Sequence, residues 1–284
     1  MQLGKLIDSQ QEVCVGRIIE QTVEVLDLSA ANLVTLSDLL ACDNIQQTVS
    51  RLPIRESLSI AEVHWLPPID SQEVWAAGVT YKRSQTARME ESEAAASCYD
   101  RVYQSARPEI FFKASPHRVR GHLQNLRIRV DATWNVPEPE LTLVLSPDLR
   151  IVGFTIGNDM SSRDIEGDNP LYLPQAKCYN ECCGLGPWIT LTDQMPMRDE
   201  IDIRLEIFRN GSVVFSGETS AGQMARSFQD LVNWLGRDNS FQQGAFLLTG
   251  TGIVPNSDFT LAPGDQVDIH IAGIGTLSNT IVQG

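Results

Sequence analysis

The stretch from Trp134 to Trp188 constrains this chain more than any other. Pro137-Glu138-Pro139-Glu140 leads into the apolar run Leu141-Thr142-Leu143-Val144-Leu145, and a second run, Arg150 to Ile156, ends at Gly157-Asn158-Asp159. Ser146-Pro147-Asp148 between them is turn chemistry, so the two runs read as a hairpin-like pair of strands. Glu138 and Glu140 are two residues apart, which on an extended chain points both side chains to one face. Two like charges there repel unless something positive lies between them. The hairpin returns Asp159 beside them, and three carboxylates form an oxygen donor set suited to Mg²⁺, Mn²⁺ or Ca²⁺. Taken alone, the Glu-Pro-Glu segment also fits an exposed edge strand, the ordinary place for a proline such as Pro139. Lys177 follows in a segment punctuated by Pro and Gly that reads as a loop.

At 284 residues the chain is long enough for one large domain, or one large and one small, with ample core. Apolar content of 42% and charged content of 20% are ordinary for a soluble globular protein. The 22 basic residues face 36 acidic ones, and the net charge of −14 argues against nucleic acid or an anionic membrane as the partner. A small anionic substrate is not excluded, since a few cations and a metal reverse the potential inside one cleft. The segment Met-Gln-Leu-Gly-Lys-Leu-Ile-Asp lacks the apolar core of a signal peptide, and no run approaches about 18 apolar residues. Cys14, Cys42, Cys98, Cys178, Cys182 and Cys183 are scattered, without the density of a disulfide scaffold. A reduced, cytoplasmic, enzyme-sized protein is expected.

Residues 1–66 alternate strand-like and helical patterns and predict a small N-terminal α/β domain. Strands are expected over Leu3 to Ile7, Glu12 to Ile19 and Thr22 to Leu26. Short helices are expected at Ser37 to Leu40 and Ile45 to Leu52, capped by Ser37 and Asp43. His64-Trp65-Leu66-Pro67-Pro68 reads as a linker into a main domain of residues 67–284, with His64 a structural residue. Val74 to Val79 predicts a strand and Lys82 to Ala106 a helix, stopped by Arg107-Pro108. Glu109 and Lys113 bracket the next short strand on one face, an arrangement that alone reads as a surface ion pair. Further strands are predicted at Trp188 to Leu191, Ile201 to Arg209, Ser212 to Gly217, Ala245 to Leu248, Gln266 to Ile271 and Gly275 to Val282. Asn210-Gly211 marks a hairpin, and Ser227 to Arg237 has helical spacing. No repeat and no Rossmann or P-loop glycine pattern is present. The class is α+β, mostly β.

Taken together, Gly78-Val79-Thr80-Tyr81, Arg107-Pro108 with Phe111-Phe112-Lys113, Glu138-Pro139-Glu140, the run Gly157 to Asp164, Gly184-Leu185-Gly186-Pro187-Trp188, Thr249-Gly250-Thr251 and Pro263-Gly264-Asp265 resemble the fumarylacetoacetate hydrolase superfamily. The resemblance covers roughly residues 70–284. It implies that superfamily's mixed β-sandwich roll, a divalent metal on Glu138, Glu140 and Asp159, and a homodimer or homotetramer. It also implies that Lys177 faces the metal and that Thr251 approaches the substrate.

The departures bear on the reaction. Hydrolytic members typically carry a His and a Glu three residues apart after the Gly-x-x-Tyr segment, where this chain has Ser84 and Ala87. No histidine lies between His64 and His117. A hydrolase without its base loses a factor of about 10²–10⁴. Arg163 to Lys177, Asn135 to Glu140 and Arg107-Pro108-Glu109 resemble instead the 2-keto-3-deoxy-D-arabinonate dehydratase branch. That likeness implies a metal-dependent dehydratase of 2-keto-3-deoxy sugar acids, with 2-oxoglutarate semialdehyde as the product from the arabinonate. Glu109 and Lys177 are then the proton-transfer groups. A 2-keto acid on a divalent ion has acidified C3 protons and a stabilised enolate. Lys177 is assigned as base and Glu109 as acid, the direction of transfer staying open. A C–C hydrolase or decarboxylase of a diketo or oxo acid, or a silent metabolite binder, are the alternatives. Arg163 is placed near the substrate, chiefly orienting a carboxylate. Glu166 fits the pocket and a solvated loop equally. Arg83 and Arg88 fit a solvated helix face, and Cys178, Cys182 and Cys183 lack zinc-knuckle spacing.

Overall fold

Antiparallel pairing begins at the N-terminus of the computed structural model, which describes residues 1–81 and 101–284. Strands β1 (Gln2–Ile7), β2 (Val13–Ile19), β3 (Thr22–Leu26) and β4 (Ile54–Ser59) form a meander. Helices α1 (Leu36–Leu40) and α2 (Ile45–Arg51) are inserted between β3 and β4. Their caps are Thr35, which forms a capping box with Asp38, and Asn44. The expected caps Ser37 and Asp43 therefore miss by one or two residues, because Thr35 and Asn44 also have side-chain oxygens that reach a free N–H. The expected linker is partly strand: β5 (His64–Leu66) returns to pair with β1.

The rest of the chain supplies β6 (Glu73–Gly78), β7 (Glu109–Ala114), β8 (Val119–Arg120), β9 (Asn125–Ile128) and β10 (Asn135–Val136). The hairpin β11 (Pro139–Leu145) and β12 (Ile151–Asp159) follows, then β13 (Ser161–Ser162), α3 (Arg163–Asp168) and α4 (Leu173–Lys177). After β14 (Cys183–Leu191) come β15 (Asp202–Arg209), β16 (Ser212–Ser220), α5 (Phe228–Leu235), β17 (Ala245–Leu248), β18 (Gln266–Ile271) and β19 (Gly275–Gln283). Of the helix expected over 82–106, residues 82–100 lie outside the described residues, and 101–104 are helical.

The larger sheet runs β4-β3-β2-β1-β14-β12-β11-β17-β6-β7, with β5 on β1 and β8 on β14. Strands from residues 1–66 thus continue the sheet built by the rest of the chain, through β1 on β14. The second sheet runs β16-β15-β18-β19-β9. Leu141, Leu143 and Ile156 of the larger sheet pack with Leu205, Ile269 and Leu277 of the second in one core. Val144, Phe246 and Leu248 face the other way, onto a core shared with Leu3, Leu39 and Val49. β11 is buried at every position, which explains its near-continuous apolar sequence. The chain is a mixed, mostly β structure with few helices.

Two local predictions match closely. Asn210 and Gly211 both have positive φ, 52° and 78°, as a hairpin turn between β15 and β16 requires. Ser227 caps α5, whose Leu231, Val232 and Leu235 are buried.

Candidate metal centre and active site

β11 is central, between β12 and β17, rather than an edge. Pro139 is tolerated because it is the first residue of the strand and β17 pairs only from Thr142 onward. The register sets Pro139 opposite Asn158, and the Asp159 N–H donates to the Glu138 carbonyl at 3.0 Å. Asp159 therefore arrives beside the two glutamates, and one oxygen from each of the three lies within 4.8 Å of the others. All three are buried.

Cations compensate two of the three. Glu138 accepts from Arg163 Nη2 at 2.7 Å and from Lys177 Nζ at 2.6 Å, on different oxygens. Asp159 faces Lys113 Nζ at 2.6 Å through Oδ1 and accepts from Lys177 Nζ at 3.0 Å through Oδ2. Glu140 is held by a neutral donor, the Gly250 N–H at 2.6 Å. Burial, and then the charges of Asp159 and Glu138, push the Glu140 carboxyl well above the ordinary carboxylate range. A divalent cation would remove that cost. An all-oxygen, carboxylate-rich set fits a hard ion of the Mg²⁺, Mn²⁺ or Ca²⁺ type.

Lys177, at the C-terminal end of α4, is buried and also donates to Ser161 Oγ at 2.6 Å. Its Nζ lies 5.6 Å from the Phe111 ring centre. Arg163, at the start of α3, is 1% exposed and its guanidinium contacts the Glu138 carboxylate. Lys113 is the surprise. The surface ion pair read between it and Glu109 does not form part of its surroundings: Lys113 is fully buried and faces Asp159. Burial alone would draw its ammonium down, but the Asp159 carboxylate holds it above the usual lysine value. Period-two alternation from Glu109 through Phe111 carries Lys113 onto the same face, and that signal was available in the sequence.

Glu109 is half-buried at the start of β7, paired in register with Gly78. A Cβ on Gly78 would stand 2.0 Å from Glu109 Oε2, so the missing side chain makes room for that carboxylate. Gly78, Phe111, Lys177 and Thr251 line a pocket together with the three acids. Thr251 is buried, its Oγ1 donating to the Ile253 carbonyl at 3.1 Å. Gly250 before it has φ +91°, and a Cβ there would meet Thr80 Oγ1 at 2.1 Å, which is why the Thr-Gly-Thr loop can turn its N–H onto Glu140. Val79, on the pocket wall, has φ +55°, a costly conformation for a β-branched residue.

The remaining candidates fall elsewhere. Glu166 is buried in α3 rather than solvated. His64 is exposed on β5. Cys178, Cys182 and Cys183 are free thiols whose Sγ atoms donate to backbone carbonyls, and the described residues hold no thiol metal cluster. Ser84, Ala87, Arg83 and Arg88 lie outside the described residues. A cavity of about 780 Å³ in the N-terminal part is lined by Lys5, Asp70 and Arg55. Its charges pair with near neighbours, Lys5 with Asp70 at 2.5 Å and Arg55 with Glu12 at 3.0 Å, and it lies away from the acid cluster.

The fold is that of the fumarylacetoacetate hydrolase family, and the chain belongs to it. The family model "Fumarylacetoacetate (FAA) hydrolase C-terminal" matches residues 73–282. The chain is 43% identical over 270 residues to a probable 2-keto-3-deoxyxylonate dehydratase of Haloferax volcanii, covering 92% of this chain and 93% of that protein. It is 39% identical over 264 residues to the 2-dehydro-3-deoxy-D-arabinonate dehydratase of Saccharolobus solfataricus, covering 92% and 87%. A solved structure of 2-keto-3-deoxy-D-arabinonate dehydratase complexed with magnesium and 2,5-dioxopentanoate superposes with a TM-score of 0.85 at 32% identity, over 100% of this chain and 99% of that one.

Proposed function

We propose that this chain is a divalent-metal-dependent dehydratase of 2-keto-3-deoxy sugar acids, with Mg²⁺ held by Glu138, Glu140 and Asp159. The observation that carries the reading is the amine of Lys177, 2.6 Å from Glu138 and 3.0 Å from Asp159. It sets a proton-transfer group against a hard-cation site. The names of the two relatives and the contents of the magnesium complex support the same substrate class.

Bound there, the ion supplies Lewis acidity to the carboxylate and keto oxygens of a 2-keto acid, which acidifies C3. Lys177 Nζ, in its neutral form, takes a proton from C3. The electron pair of that C–H bond becomes the C3–C4 double bond as the C4–O bond breaks. Glu109 gives a proton to the departing hydroxyl, which leaves as water. For a five-carbon acid, moving one proton from C5 to C3 gives the C4–C5 enol, and moving the C5 hydroxyl proton to C4 then yields 2,5-dioxopentanoate. Arg163 fixes Glu138, and Thr251 borders the substrate space. The free thiols of the described residues are consistent with a cytoplasmic enzyme. No described helix is long and apolar enough to cross a membrane.

Incubation of the purified protein with Mg²⁺ and a 2-keto-3-deoxypentonate, with product identification by mass, tests the reading. Loss of one water is expected. Release of CO₂ or cleavage of a C–C bond would overturn it.

A further inference from the structure

We propose that Lys113 is a positioning residue that holds the Asp159 carboxylate and the backbone of Lys177 in one fixed arrangement. The proposal deepens the dehydratase reading and rests on it only for its kinetic arm. A buried ammonium is costly unless its charge is paired and its protons are hydrogen-bonded. Lys113 Nζ is ion-paired with Asp159 Oδ1 at 2.6 Å and donates to the Met160 carbonyl at 2.9 Å and the Lys177 carbonyl at 2.6 Å. Neutralising Asp159 needs only the first of these. The other two tie the end of β12 to the last residue of α4.

That second tie has a physical purpose. α4 is only five residues long, too short to be stable by itself, and Lys177 is its last residue, where helix carbonyls lack intrahelical donors. Lys113 supplies the donor. Phe111, two residues earlier on the same face of β7, lies 5.6 Å below the Lys177 ammonium. One strand face therefore grips Lys177 at both ends, an aromatic ring under its Nζ and an ammonium under its carbonyl. Glu109 stands on that same face, so β7 also relates the two proton-transfer groups.

Two variants test this, Lys113→Met, which removes every donor, and Lys113→Gln, which keeps a neutral donor. Mn²⁺ affinity is measured by electron paramagnetic resonance, and kcat and KM with a 2-keto-3-deoxypentonate and Mg²⁺. Both variants should bind Mn²⁺ roughly 10–100-fold more weakly, as loss of a residue behind a metal ligand typically does. Turnover should fall in kcat with KM little changed, less in Lys113→Gln than in Lys113→Met. In a Lys177→Ala background, Lys113→Met should lower the residual kcat no further. Mn²⁺ binding needs no substrate, so a wrong substrate assignment leaves that arm readable: weakened Mn²⁺ binding without sugar-acid turnover in the parent protein supports the positioning role and sinks the dehydratase reading. Parent-like Mn²⁺ affinity in folded variants overturns the proposal. Loss of the fold in both variants also overturns it, assigning Lys113 to the core alone.

Discussion

Lys177 and Glu138 are 39 residues apart in sequence, yet the lysine Nζ lies 2.6 Å from Glu138 Oε2 inside a site neither shares with solvent. One short helix and one hairpin make that meeting. The amine touches two of the three carboxylates of the candidate cation site, so on the proposed reading proton transfer and metal binding share one small volume.

Lys177→Met should abolish most turnover, by about 10²–10⁴-fold, the usual worth of a positioned acid or base. Lys177→Arg should not restore it, because a guanidinium does not give up its proton. Steady-state kcat for the two variants decides the matter; recovery in the arginine variant would contradict a base role.

Glu140→Gln should weaken Mn²⁺ binding while stabilising the protein in chelator. Burial and two neighbouring carboxylates make the Glu140 charge costly, and a neutral amide of the same shape removes that cost. Relief of about 1 kcal/mol would raise Tm by roughly 2–4 °C for a domain of this size. Calorimetric scans in chelator check the sign, and a lower Tm would contradict the account of the site's electrostatics.

Gly78→Ala should act on Glu109. The new Cβ would stand 2.0 Å from a carboxylate oxygen at the tip of a flexible side chain, so the side chain yields and the fold does not. A fall in kcat of roughly tenfold or more, with Tm nearly unchanged, is expected from displacing a proton-transfer group. Unchanged kcat would remove Glu109 from the mechanism.

Stability should decline in mild acid through His122. Its Nδ1 accepts the Ser278 N–H at 3.1 Å, and burial draws its pKa below the ordinary 6.5. The unfolded chain therefore takes up a proton first as pH falls. The stabilisation is complete above pH 6.5 and is lost as pH drops from there through the lower folded-state value. Urea midpoints measured across that window should fall in the parent protein and stay flatter in His122→Gln, whose amide oxygen accepts the same N–H without titrating.

Much of this site was legible in the chain. Two-residue spacing put Glu138 and Glu140 on one face, and the turn at Ser146-Pro147-Asp148 returned Asp159 to them. What stayed hidden depended on partners distant in sequence. Pro139 suggested an edge because the strand that stops short of it, β17, comes about a hundred residues later. Lys113 read as a surface charge because its ion-pair partner Asp159 and its acceptors on Met160 and Lys177 are none of them announced by its own strand. The His64 segment read as a linker because its strand partner is β1, at the other end of the N-terminal region.

On the proposed mechanism, the carboxylate site and Lys177 together remove a C3 proton so that the C4 hydroxyl leaves as water. NMR of a 2-keto-3-deoxypentonate during turnover in D₂O with Mg²⁺ measures both events at once. Loss of the C4 hydroxyl with deuterium appearing at C3 is expected, both stopped by chelator and by Lys177→Met. Dehydration that continues at the parent rate in chelator, or in the Lys177→Met protein, would contradict it.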